Sequence, residues 1–88
     1  MARRTYVQVI ATFNEDGQIT PHALTLHDRQ YMIDRVLDRR QAVATKAGGQ
    51  GIRYTVRIQG QETYIFYDEH QRWFVEEKDH VRKISNIR

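Results

Sequence analysis

Arginines interleaved with aromatic residues are the arrangement in this chain with the clearest chemical potential. Arg53 and Arg57 alternate with Tyr54 and Val56, and Tyr64 and Phe66 follow one turn later. On two paired strands Arg53, Arg57, Tyr64 and Phe66 would share one face. Guanidinium groups take phosphates and ring faces stack on bases, which is how single-stranded nucleic acid is often held. Arg35, Arg39, Arg40 and Lys46 would extend the basic track. The same spacing also fits a second core. Tyr64, Phe66 and Phe74 would then lie under another strand or the C-terminal tail, covered by the arginine stems. No ribonucleoprotein consensus, helix-turn-helix or zinc module accompanies the face.

Other candidate chemistry is thinner. Ala47-Gly48-Gly49-Gln50-Gly51 after Lys46 has the glycines of a phosphate loop, but a strand follows where a helix N-terminus is needed. It reads as a hairpin connection or a basic flap. His22, His27, His70 and His80 match no zinc spacing, and there is no cysteine to help them, so no metal site is expected. Asp34 and Asp38 read as ion-pair partners of Arg35, Arg39 or Arg57 rather than as an acid/base pair. Ser85, the single serine, lies in the charged tail. With no nucleophile, no carboxylate pocket and little room for a water-excluding cleft, the chain is expected to be non-enzymatic and to carry no cofactor.

The elements that must position these residues are short strands. Tyr6 to Phe13 reads as a strand with Val7, Val9, Ala11 and Phe13 on one face, and Asn14-Glu15-Asp16-Gly17 as the turn after it. His22 to His27 alternates, with Leu24 and Leu26 on one face. A hairpin tip at Asp28-Arg29 would set Leu26 opposite Tyr31 and Leu24 opposite Ile33. Residues 29–47 admit two readings. A helix would be capped by Asp28 and stopped at Gly48-Gly49. A long bent strand would turn Tyr31, Ile33 and Leu37 inward, with a bulge near Arg35-Val36. The preceding hairpin favours the strand. Ile52, Tyr54, Val56 and Ile58 alternate with Arg53, Thr55 and Arg57. A Gly60-Gln61 turn pairs Val56 with Ile65 and Arg57 with Tyr64. A three-residue loop at Glu69-His70-Gln71 brings Trp73 to Tyr67, Val75 to Ile65 and Phe74 to Phe66.

The expected fold is all-β: a small, strongly bent antiparallel sheet or SH3-like barrel of five to six strands. The α+β alternative places one helix in 29–47. The 88 residues form one domain, with an ordered core over about 5–77 and a charged tail, 78–88, that is a short helix or frayed. Eleven of the 14 basic residues are arginine, and the net charge is +3. With residues 1–4 and 80–88 set aside the balance turns slightly acidic, and the bases concentrate over 35–57, so one sector would steer a polyanion. The absence of cysteine fits a cytoplasmic bacterial protein. No apolar run of membrane-spanning length occurs, and the start has no apolar segment of signal-peptide type.

Asp16-Gly17, Pro21-His22-Ala23-Leu24-Thr25-Leu26, Asp28 to Leu37, Arg53 to Ile58, Tyr64-Ile65-Phe66-Tyr67 and Arg72-Trp73-Phe74-Val75 together resemble a family of uncharacterised small bacterial β-barrel-like proteins. The resemblance covers roughly residues 6–76. Leu26 stands where that family often has an aromatic, and Gln30 where it has an arginine. Some actinobacterial relatives lie near damage-tolerance DNA polymerases, which implies a role linked to nucleic acid and carries over no catalytic residue. The leading expectation is a non-enzymatic β-domain that binds a polyanion, with single-stranded nucleic acid the favoured one, through the arginine-aromatic face. The alternative is a protein-interaction module, or a homodimer, using the same aromatic face.

Overall fold

The computed structural model describes residues 2–43 and 50–78. They form seven strands and no helix: β1 (Ala2–Phe13), β2 (Ile19–Leu26), β3 (Arg29–Met32), β4 (Arg35–Val43), β5 (Gln50–Ile58), β6 (Gln61–Asp68) and β7 (Trp73–Lys78). All seven belong to one antiparallel sheet in the order β3-β2-β1-β7-β6-β5-β4. The sheet curls into a half-barrel. The charged tail beyond residue 78, Lys46 and the glycine-rich segment up to residue 49 lie outside the described residues.

The curl follows from one bent stretch of chain. Ile33 N–H donates to the His22 carbonyl at 2.9 Å, and Asp34 N–H donates to the Arg57 carbonyl at 2.8 Å. Within two residues the chain leaves β2 and joins β5. The two edge strands, β3 and β4, are therefore successive halves of one bent segment, and the sheet must curve for them to meet. That kink splits the single long strand expected over 29–47, of which residues up to 43 are described, and this accounts for seven strands instead of five to six. The helix considered for this stretch is absent from 29–43, because the edges of β2 and β5 take its backbone groups; residues 44–47 lie outside the described residues.

The concave side holds the core. Ile19, Leu24, Tyr54, Val56, Ile58, Ile65 and Trp73 are buried there, with Val7, Val9, Leu26, Tyr31, Ile33 and Val36 packed against them. Period-two alternation puts these residues on one side, and each fully buried aliphatic contributes about 1.5–3 kcal/mol. The Tyr54 hydroxyl donates to the Ile19 carbonyl at 2.8 Å, tying β5 to the start of β2 across the interior. Burial raises the Tyr54 pKa, and the Arg39 charge offsets this in part. A Cβ on Gly51 would lie 2.5 Å from the Tyr67 carbonyl oxygen, so β5 passes β6 where no side chain fits.

Two hairpin registers differ from expectation by two residues. The turns are His27-Asp28 (φ 52° and 65°) and Gln59-Gly60 (φ 53° and 78°), each with both central residues left-handed, as a type I′ turn requires. Leu24 therefore faces Tyr31, Tyr54 faces Ile65 and Arg57 faces Glu62. A two-residue shift keeps every side chain on its side of the sheet, so the expected faces survive. The third hairpin matches at Tyr67–Trp73 and Phe66–Phe74, while the Ile65–Val75 pair does not form a ladder. Here Asp68 Oδ1 accepts from the His70 and Arg72 N–H groups, both at 2.9 Å, and holds the loop. Phe13 keeps the face expected of it, opposite Ile19, but at the end of β1 it is 66% exposed. Leu37, also expected inward, is the extra residue of a bulge in β4.

Candidate functional site, the convex arginine-aromatic face

Cross-strand pairing builds a row across five strands on the convex side. Arg40 of β4 pairs with Arg53 of β5, Arg53 with Phe66 of β6, Phe66 with Phe74 of β7, and Phe74 with Tyr6 of β1. A parallel row runs Asp38, Thr55, Tyr64, and a third runs Arg35, Arg57, Glu62. Arg35, Arg40, Arg53, Arg57, Tyr64 and Phe66 thus share the face expected of them. Lys46 lies outside the described residues.

Arg39 does not belong to this group. The Leu37 bulge adds a residue to β4, so Arg39 pairs with Tyr54 and sits on the concave side, its guanidinium carbon 5.9 Å from the Tyr54 ring centre. With the Gln18 amide turned to satisfy its neighbours, the Gln18 carbonyl accepts from Arg39.

The rings differ in access. Tyr64 is 48% exposed, Phe66 is half-buried and Phe74 is 3% exposed. Phe66 and Phe74 stack at 4.9 Å with planes 6° apart, and Tyr6 meets the edge of Phe74 at 5.8 Å. Phe66 therefore has one ring face already occupied by Phe74, and the two phenylalanines form a small second core, whereas Tyr64, which the alternative reading also placed in such a core, is open. Guanidinium groups cover this cluster. Arg53 lies 4.4 Å over Tyr64, Arg4 lies 4.3 Å over Phe74, and Arg72 lies 4.3 Å over Tyr6. Each such contact is worth about 0.5–1 kcal/mol at an exposed site. Among the described residues the buried Arg53 Nε finds no hydrogen-bond partner, and that guanidinium has its contact with the Tyr64 ring. Arg40 Nε donates to Asp38 Oδ2 at 2.8 Å, which gives Asp38 a different partner from those expected.

Arg4, Tyr6 and Arg72 are members of the face that sequence reasoning missed. The signal was present: Arg4 and Tyr6 alternate with Thr5 and Val7 and so fall opposite the inward positions of β1. What the alternation does not contain is the β1–β7 pairing that brings Tyr6 to Phe74.

The described histidines lie apart. His22 bonds Thr12, His27 bonds Glu77, and His70 approaches Glu69. Among the described residues no group of three metal-ligating side chains forms, and no helix is long and apolar enough to cross a membrane. The fold and face define a small all-β half-barrel with a basic, aromatic outer surface. Compared with protein-family models, curated proteins and solved structures, the chain matches none.

Proposed function

We propose that this protein is a non-enzymatic binding domain for single-stranded nucleic acid, engaging it through the convex face. The observation that carries the reading is the three-fold repetition of a guanidinium over a ring, flanked by Arg35, Arg40 and Arg57. Phosphates meet the arginines, and bases stack on the exposed rings of Tyr64 and Tyr6 rather than on Phe66. The SH3-like comparison and a cytoplasmic location belong with this reading. A fluorescein-labelled single-stranded oligonucleotide, followed by anisotropy at ~50 and ~200 mM salt, tests it. Binding is expected to weaken steeply with salt, and Arg53→Ala with Arg57→Ala should flatten the salt slope by about one to two. Absence of binding at the lower salt, or a double variant that binds like the parent, rejects it.

A second reading, self-association, draws on a different patch. Ile10, Ala23 and Met32 pair in a row on the convex side of β1, β2 and β3, with Ile10 57% and Met32 62% exposed. Ala23 between them is buried, so the exposed apolar surface is that of Ile10 and Met32, and such a patch can mark a contact site. Light scattering on the eluted peak is expected to show a dimer that Met32→Asp converts to monomer. A monomer in the parent protein ends this reading.

A further inference from the structure

The open end of the half-barrel, where the β1–β2 loop approaches the start of β5, carries a second feature. It contains a cavity of about 730 Å³, within the range of small-ligand sites. Phe13, Ile19, Ile52 and Tyr67 supply its apolar wall, and Gln41 and Gln71 are among its polar lining residues. Phe13 is the most exposed large apolar side chain described, and it adds little to the core from there. Asp68 and Glu69 make one side acidic. An adjoining hollow of about 350 Å³ shares Ile19 and Ile52 and is lined by Arg39 and Tyr54, with Asp16 also on its wall.

This distribution has a direction. Such a lining would suit a flat ring on the apolar wall, a donor edge toward the glutamines and Glu69, and a negative group toward Arg39 in the adjoining hollow. Glutamine amides pair well with the edges of bases, because they offer a donor and an acceptor together. Arg39, which the bulge in β4 turns away from the convex face, then has a function on the concave one.

We propose that the open end binds a single nucleotide, its base against Phe13 and Tyr67 and its phosphate at Arg39. The proposal deepens the nucleic-acid reading: one nucleotide of a strand on the outer face would turn over the β4 edge into this end. Trp73, the single tryptophan, has its ring centre 4.7 Å from that of Tyr67 and reports occupancy by fluorescence.

The probes are adenosine and cytidine monophosphates, the matching nucleosides, and inorganic phosphate. A saturable change with the nucleotides is expected, with none for phosphate alone. Phe13→Ala should weaken binding roughly tenfold, the scale of losing one stacked base. Arg39→Ala should lower nucleotide affinity to that of the nucleoside and leave the nucleoside unaffected. Both side chains are exposed, so neither change should unfold the protein. No saturable change with any nucleotide, or unaltered binding by Phe13→Ala, overturns the proposal. Oligonucleotide binding on the same samples separates the two readings. An oligonucleotide that binds where nucleotides do not leaves the outer face standing alone. Nucleotides that bind where the oligonucleotide does not leave the open end alone.

Discussion

Glu77 shows how one side chain answers to several neighbours. It is 7% exposed, and burial by itself would raise its pKa. Three groups outweigh that: the Thr5 hydroxyl donates to Oε1 at 2.6 Å, His27 Nε2 lies 2.8 Å from Oε2, and Arg3 lies 3.8 Å from Oε1. The carboxyl is held below its ordinary value of 4.5. A depressed folded-state pKa contributes stability that is present above the unfolded value and is lost as pH falls through the folded one. Glu77→Gln is therefore expected to cost about 2 kcal/mol at pH 7, the scale of a hydrogen bond to a charged group. The deficit should shrink in acid, below the ordinary carboxylate range. Urea midpoints measured from neutral pH into acid check this; a deficit that stays constant means that the charge contributes nothing.

At the scale of the element, the turns decide the registers. Gln59 occupies the first left-handed position of the β5–β6 turn, where a side chain other than Asn, Asp or Gly is strained. Asn followed by Gly is the pair that such a turn favours. Gln59→Asn is expected to stabilise the protein by about 0.5–1 kcal/mol, seen as a rise of several degrees in the melting temperature. A fall would mean that Gln59 has contacts that the turn geometry does not account for. The same logic explains the misplaced registers. The sequence Gln59-Gly60-Gln61 permits glycine first or second in a two-residue turn, and the choice depends on the sign of φ at the neighbour. Pairing across the whole length of β5 and β6 settles it. The bulge expected near Arg35-Val36 falls at Leu37, between Val36 and Asp38. The extra residue exchanges Arg39 for Arg40 on the outer face.

Across the whole molecule, charge and curvature act together. The chain carries +3, yet the convex face gathers Arg4, Arg35, Arg40, Arg53, Arg57 and Arg72 against Asp38, Glu62 and Glu76. A local excess of this kind is what makes polyanion binding salt-dependent, because each neutralised phosphate releases counterions. The half-barrel form, the inward residues of β5 and β6 and the sharing of one face by Arg53, Arg57, Tyr64 and Phe66 were all legible along the chain. The facing needs only the period of two that every strand imposes, and the bent form follows from short strands joined by tight turns. Ring access and the grouping of distant arginines were not legible. Tyr6 reaches Phe74 only because β1 pairs with β7, from the opposite end of the chain. Phe74 is buried while Tyr64 is open because Phe74 meets the Phe66 ring and also Tyr6 and Arg4, both brought in by that pairing. Local alternation thus set which side each residue takes. Pairing of β1 with β7, a contact between segments far apart in the chain, set which of those residues meet.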